Sequence, residues 1–510
     1  MAALLAPFAL GLRGVGPWAG LVLGWLGGSV FWAVSAWWAF NAFTDMLGWP
    51  LAGAAAGTAG FCLFQGLPYA LFGLACGAMN RRGHPPGPLF CASLLTLLVF
   101  LRPPVCPGSM ALGLYAWPLA IQVADLGGVH LVLFIVLLAN WLAAEAVARW
   151  RRPRRAALSL LALAGLAAAV LGYGHWRLDA LHRLVEAAQE NDVITIRSIQ
   201  PNIPIKGSEG IETAGPYAGV VGALVKTTEM AAGELPPADL VLWPEVPMDV
   251  SCDCEAFGLH GVDRAAAASG GPVAAACVEH DYGDNPVVHH EEHGENGRGV
   301  RVASRRIQAR YNAVWLVGEN ECRLAYHKVE LVPFGERTPF QDSWPWLKKT
   351  VGRELEYSPG PGPALIALED GRRVQPLVCF ESGFPYLARE GAAMGADAFA
   401  NVSDDIWFDA AKASEFHLAL ALFRTVEQRR PLVRCTNNGF GAHVRATGEI
   451  VPGTVTPMNE RTFRQAGLLC PQLRTVYSQL GDSWLWVLVA AAALPLLAAL
   501  IAPRRRDRRL

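Results

Sequence analysis

This 510-residue chain is poor in charge. Asp, Glu, Lys and Arg make up 17% of it, against about 25% in soluble domains. The formal net charge is −1, which removes any bulk electrostatic case for a nucleic-acid partner. Acids are almost missing from residues 1–175 and are concentrated in 176–480, which divides the chain into an apolar part and a soluble part. The eleven cysteines form no Cys-x-x-Cys pair and no zinc ribbon. Nucleotide, nicotinamide and metal motifs are also missing, so no cofactor is expected. His289-His290-Glu291-Glu292-His293 invites a metal reading, but it fails the His-Glu-x-x-His template because residue 290 is His and residue 294 is Gly.

What the chain has in plenty is apolar sequence, at 52%. A membrane span needs about 20 apolar residues. Stretches at 17–40, 50–78, 128–147, 156–174 and 484–502 qualify, with shorter candidates at 2–12 and 87–101. About six spans are expected within 1–175. The first segment lacks the basic start of a signal peptide. Basic clusters at Arg81-Arg82, Arg149 to Arg155 and Arg504 to Arg509 are assigned to the cytoplasm. The chain then leaves at 87–101, returns at 128–147 and leaves again at 156–174. A soluble domain at 190–475 is therefore expected on the outer side, with 484–502 returning to a basic tail at 503–510. Between the spans, Pro103-Pro104, Pro107-Gly108 and Trp117-Pro118 break an apolar stretch. It reads as a re-entrant segment or as an ordinary apolar loop.

The soluble part alternates strand and helix patterns. Strands are expected at 193–199, 240–243, 272–277, 312–317, 322–327, 374–379, 397–402 and 432–436. Helices are expected at 216–232, 261–269 and 412–429, the last with Phe416, Leu420 and Phe423 at helical spacing. That alternation predicts an α/β sheet covered by helices. Residues 279–304 are polar and rich in Gly and His, and read as a flexible surface insertion. On an outer, oxidising side, some of Cys252, Cys254, Cys277, Cys322 and Cys435 can pair; free buried thiols are the alternative.

Three polar residues interrupt apolar strands. Glu245 follows Leu240 to Pro244, Lys328 ends Leu324 to His327, and Cys379 follows Pro376-Leu377-Val378. A thiol, a carboxylate and an amine at strand ends are the parts for acyl transfer through a thioester. Lys328 can lower the thiol pKa and later bind an oxyanion, while Glu245 takes the proton. Taken singly, each has a plain structural role: a core thiol, a capping acid, a surface lysine.

The blocks around these residues resemble a known family. Trp243-Pro244-Glu245, Tyr326-His327-Lys328 with Leu331 to Glu336, and Cys379-Phe380-Glu381 are similar to the Glu-Lys-Cys blocks of the nitrilase superfamily. With Gln200 to Pro204, Tyr311-Asn312, Asn401 to Phe408 and Arg429 to Gly439, the resemblance narrows to the apolipoprotein N-acyltransferases of bacterial envelopes and covers nearly the whole chain. It implies a four-layer αββα sandwich joined to a multi-span helical membrane domain, in the bacterial inner membrane with the catalytic domain facing the periplasm. It implies Glu245 as general base, Lys328 as the lysine and Cys379 as the nucleophile. Glu336 and Glu381 become further active-site carboxylates, with Asn312 beside them. Backbone near Phe380 would complete an oxyanion hole, and Trp407 is a candidate for an acyl pocket. The implied partners are a phospholipid acyl donor and a diacylglyceryl lipoprotein acceptor.

The chain departs from that family in places. Residues 1–12 look like its second span. Residues 205–209 lack its usual tryptophan. Phe380 stands where Tyr is common, Glu330 where His is frequent, and 279–304 is longer than usual. The same triad would serve a membrane-tethered amidase acting on a small amide with water as acceptor. A non-catalytic scaffold is the other alternative.

Overall fold

The computed structural model describes residues 5–187, 189, 192–203, 218–245, 254–259, 261–283, 288–293, 299–304, 307–339, 341, 343, 345–346, 356–408 and 410–501. The apolar part is helical: α1 (Leu5–Gly11), α2 (Pro17–Ser35), α3 (Leu51–Gln65), α4 (Leu67–Arg81), α5 (Pro88–Phe100), α6 (Ala124–Ala148) and α7 (Pro153–Ala187). Among the described residues four helical stretches are long and apolar enough to cross a bilayer: α2, α6, α7 and Val476–Ala499.

The stretch read as one span at 50–78 is two helices, α3 and α4, bent by 41° at their junction. Pro68 in the first turn of α4 lacks the N–H that would continue α3. Helices α2 and α4 then approach so closely that a Cβ on Gly20 or Gly24 would meet the backbone of Gly73 or Tyr69, the packing that small residues allow between apolar helices. Residues 103–127 are not a free loop. They form a 3₁₀ turn (Met110–Leu114) and a helical turn (Pro118–Ile121), and Ala111, Leu112, Ile121 and Val123 are buried.

Among the described residues the soluble part carries thirteen strands: β1 (Val193–Gln200), β2 (Leu240–Leu242), β3 (Val273–Asp281), β4 (Val288–His293), β5 (Gly299–Ser304), β6 (Ala309–Val317), β7 (Cys322–His327), β8 (Ile366–Ala367), β9 (Arg373–Val378), β10 (Ala398–Ser403), β11 (Leu432–Thr436), β12 (Ala442–Val444) and β13 (Thr462–Leu469). One sheet runs β13-β1-β2-β3-β6-β7 and the second β12-β11-β10-β9-β8. Period-2 alternation decides which face each residue serves. In β2 and β3, Leu240, Leu242, Ala274 and Ala276 point to the core between the sheets, where they share a cluster with Leu377, Val378, Phe399 and Val433. Val241, Trp243, Val273 and Ala275 point outward to α8 (Ala218–Glu234) and α9 (Val262–Ser269). On the far side, α10 (Pro385–Met394) and α11 (Ala411–Gln428) cover the second sheet, giving the four-layer αββα sandwich.

The flexible insertion expected at 279–304 is corrected in part. β3 extends to Asp281, and β4 and β5 pair antiparallel as a hairpin. The side chains of the His-rich stretch lie outside the described residues, as do residues 205–209 and the tail at 503–510.

Helix α11 binds the soluble part to the membrane part. Its Leu418, Leu422, Phe423 and Val426 share one apolar cluster with Leu95, Leu112, Val132 and Leu137. A polar knot closes the same seam. Asp125 of α6, 2% exposed, accepts from Tyr173 Oη at 2.6 Å, Arg177 Nε at 2.7 Å and Arg429 Nη2 at 2.7 Å. Removing one partner of a buried ion pair strands the other charge. Asp125→Ala is therefore expected to cost about 3–5 kcal/mol of stability. Thermal unfolding in detergent checks this, and an unchanged melting temperature would show that the knot holds nothing together.

Candidate active site

Lys328 follows β7 and is fully buried, so its ammonium needs internal partners. Glu336 Oε1 lies 2.9 Å from Nζ and Glu245 Oε1 3.4 Å. Asn312 on β6 donates to both carboxylates, at 2.5 Å to Glu245 and 3.1 Å to Glu336. The second oxygen of Glu245 accepts from the Asp404 N–H at 3.3 Å, and that of Glu336 from the Val332 N–H at 2.8 Å. Burial opposes the charge on Lys328, but the two carboxylates outweigh it and hold its pKa well above the usual lysine range. It stays an ammonium.

Cys379 does not sit on a strand, as the apolar run suggested. Strand β9 ends at Val378, and Cys379 opens a 3₁₀ turn, Cys379–Gly383, with φ at +51°. A non-glycine residue in this left-handed region costs about 1–2 kcal/mol, and such positions cluster at functional sites. Glu381 holds the turn. Its buried carboxylate accepts from the N–H of Val378 (2.7 Å), Val329 (2.7 Å) and Glu330 (3.1 Å), and from Tyr326 Oη (2.7 Å). It thus fastens the cysteine turn directly to the residues after Lys328. Asn401 adds a second brace, donating to the carbonyls of Leu377 and Cys379 at 2.9 and 3.2 Å.

The expected lowering of the thiol pKa by Lys328 is present but outweighed. Burial raises it first and the Glu245 charge raises it further, while Lys328 and a hydrogen bond with Ser403 pull down less. Cys379 is held well above the usual thiol range and rests protonated. A buried neutral thiol becomes a nucleophile only when a base takes its proton, and Glu245 is a neighbouring carboxylate with that chemistry.

On the membrane side of the turn lies an apolar cavity of about 540 Å³. Phe380 and Phe384 of the cysteine turn form one wall; Phe61 and Phe64 of α3, and Pro103 to Val105, form another. Glu330 is its one acidic lining residue among the described residues, and it accepts from Tyr386 Oη at 2.5 Å.

The structure thus brings Glu245, Lys328, Cys379, Glu336, Glu381, Asn312 and Phe380 to one place. The backbone of Trp407 lies in a 3₁₀ turn, Ile406–Phe408; its side chain is outside the described residues. Ser403, Asn401, Asp404 and Phe384 were not singled out from the sequence. Ser403 to Asp404 lay inside a recognised stretch, but nothing in a linear reading says that a serine on β10 faces a thiol after β9. Among the described residues no three His, Cys, Asp or Glu side chains are grouped as a metal site. Cys254 and Cys322 form a disulfide, Cys277 is also disulfide-bonded, and Cys435 is a free buried thiol.

Residues 168–463 match the family model for carbon-nitrogen hydrolases. Residues 1–142 match the N-terminal domain of apolipoprotein N-acyltransferases. The chain belongs to the apolipoprotein N-acyltransferase family, within the nitrilase superfamily. A relative of that name from Caulobacter vibrioides is 29% identical over 507 residues, covering 95% of this chain and 85% of its own. One from Geobacter metallireducens is 28% identical over 394 residues, covering 76% of this chain and 68% of its own. Among solved structures, an amidase from Nesterenkonia sp. is 18% identical, with a TM-score of 0.37 over 57% of this chain and 96% of that one. The chain is an acyltransferase that carries apolar helices fit to span a membrane.

In this acyltransferase Glu381 is surrounded only by donors. Glu381→Gln turns an NH₂ toward at least one of them. The expected result is about 1–3 kcal/mol lost stability and an activity loss on the order of 10²-fold as the cysteine turn shifts. Melting curves and initial rates check both. Full activity in a folded variant would remove Glu381 from the positioning of Cys379.

Proposed function

We propose that lipoprotein N-acylation by this enzyme runs in two half-reactions through a thioester on Cys379, with a membrane phospholipid as donor. In the first, Glu245 takes the Sγ proton as Sγ attacks the ester carbonyl carbon. The Lys328 ammonium faces the oxyanion that forms. The ester C–O bond then breaks, and the lysophospholipid oxygen leaves with the proton from Glu245. In the second, the α-amino group of the acceptor's diacylglyceryl-cysteine attacks the thioester carbon. Glu245 takes a proton from nitrogen and returns it to Sγ as the C–S bond breaks. Glu336 and Asn312 hold Lys328 and Glu245 in register, and Glu381 holds the turn.

The observation that carries this reading is the apolar cavity, which has one wall on the cysteine turn and the other on the membrane helices. A small amide needs no such space. An acyl chain does: each CH₂ buried is worth about 0.8 kcal/mol. We assign residues 1–175 and 484–502 to the inner membrane and 190–475 to the periplasmic side. The disulfide of Cys254 with Cys322, beside free thiols at Cys62, Cys76, Cys91 and Cys106 in the helical part, supports an oxidising compartment for the soluble part.

Intact-mass measurement after incubation with phospholipid tests the first half-reaction. The expected result is a gain of one fatty acyl chain, removed by hydroxylamine and not formed by Cys379→Ala. A folded protein that gains no mass would turn the reading toward the amidase. The cavity predicts chain-length selection too. Gly60 lines it, and a Cβ there meets nothing within 4 Å. Gly60→Phe is expected to lower kcat/KM for long-chain donors by about tenfold relative to short ones. Equal losses at all lengths would place the chain elsewhere.

A further inference from the structure

Asp404 stands just beyond β10, and its backbone N–H lies on Glu245. Its side chain is buried. Oδ1 accepts from the Ile406 N–H at 3.1 Å and from Asn437 Nδ2 at 3.3 Å. Oδ2, buried as well, has no hydrogen-bond partner among the described residues. The charged groups facing it are anionic: Glu245 from the end of β2, and Asp405 beside it. Among the described residues no nearby cation is free to offset it. Arg434 Nη2 donates to both oxygens of Asp405, at 2.8 and 2.7 Å, and His417 lies 3.1 Å from the same carboxylate. Lys328 is already divided between Glu245 and Glu336.

A buried carboxylate with one bare oxygen and two anionic neighbours is the costly state; the acid is the cheap one. We propose that Asp404 works as a neutral carboxylic acid, a positioning residue that supports Glu245, and that its ionisation sets the alkaline limit of the reaction. The inference rests on the thioester reading above. With Asp404 neutral, the carboxylates of Glu245, Glu336 and Glu381 already outnumber the Lys328 ammonium. Ionised Asp404 adds one further negative charge. That extra charge opposes both the thiolate on Cys379 and the oxyanion, so the rate falls as pH rises. Burial, with the charge of Glu245 adding to it, pushes the Asp404 carboxyl well above the usual carboxylate range, the direction this requires.

The test is single-turnover acylation by phospholipid, followed by intact mass across pH, for wild type, Asp404→Asn, Asp404→Ala and Glu245→Gln. Asn keeps the acceptor for Ile406 and Asn437 and cannot ionise. It is expected to acylate within about threefold of wild type at neutral pH and to lack the alkaline fall. Ala removes the acceptor and is expected to be slower by about tenfold or more. An Asn variant that is folded yet as slow as Glu245→Gln, or that keeps the wild-type alkaline fall, overturns the proposal. Infrared difference titration of wild type against Asp404→Asn isolates this carboxyl from Glu381 and Glu427, which burial also pushes up to about 7. A protonated-carboxyl band that disappears across the alkaline fall supports it, and no such band overturns it. Wild type that never acylates removes the thioester first; normal acylation with an unaltered Asn profile removes only the role of Asp404.

Discussion

A lysine ammonium with no contact to water has to be met by carboxylates, and that requirement organises the catalytic half of this protein. Lys328 comes from the end of β7, Glu245 from the end of β2 and Glu336 from the loop after Lys328, with Asn312 of β6 holding both acids. Each is costly to bury alone and tolerable together. The cluster forms only when β2, β6 and β7 take their places in one sheet, so fold and site are a single condition. The cysteine comes from the other sheet. Its turn has an unfavourable backbone conformation, offset by a carboxylate that four donors surround.

Distance from solvent has a further consequence. The thiol is kept protonated by burial and by its carboxylate neighbour, so reactivity is not a standing property of Cys379. In the proposed mechanism it arises when an acyl carbon is in place and Glu245 accepts the proton. A resting thiolate beside a membrane would be open to oxidation; a neutral thiol facing an apolar cavity is less so. The cavity also explains why the helical and soluble parts share one apolar cluster. A lipid substrate that stays in the bilayer has to be met at a wall made by both parts, and α11, the segment at 103–127 and the Asp125 knot supply the rigid seam.

Much of this was legible in the linear chain. The acid-poor first third and the long apolar stretches announce membrane helices, because a bilayer selects strongly for both. The short blocks around Glu245, Lys328 and Cys379 announce the family. Strand periods placed β2, β3, β6, β7, β9, β10 and β11 close to where they lie. Less was visible where long-range pairing decides. β13 lies beside β1, antiparallel across its full length, yet its own residues alternate weakly. The hairpin of β4 and β5 was hidden by a polar, Gly-rich composition that reads as loop. The bend between α3 and α4 was hidden by continuous apolarity.

The sequence by itself determined the α/β character and the family, and it singled out Glu245, Lys328 and Cys379 as the proposed central residues, because these depend on local pattern and residue chemistry. Only the tertiary structure decided which atoms meet. It placed Ser403 by the thiol and turned Glu381 from a neighbour of the cysteine into the link between two loops. It left Oδ2 of Asp404 with no partner among the described residues, and it let burial outweigh the lysine at Cys379. Those outcomes rest on distance and desolvation, which act between residues far apart in the chain and have no signature along it.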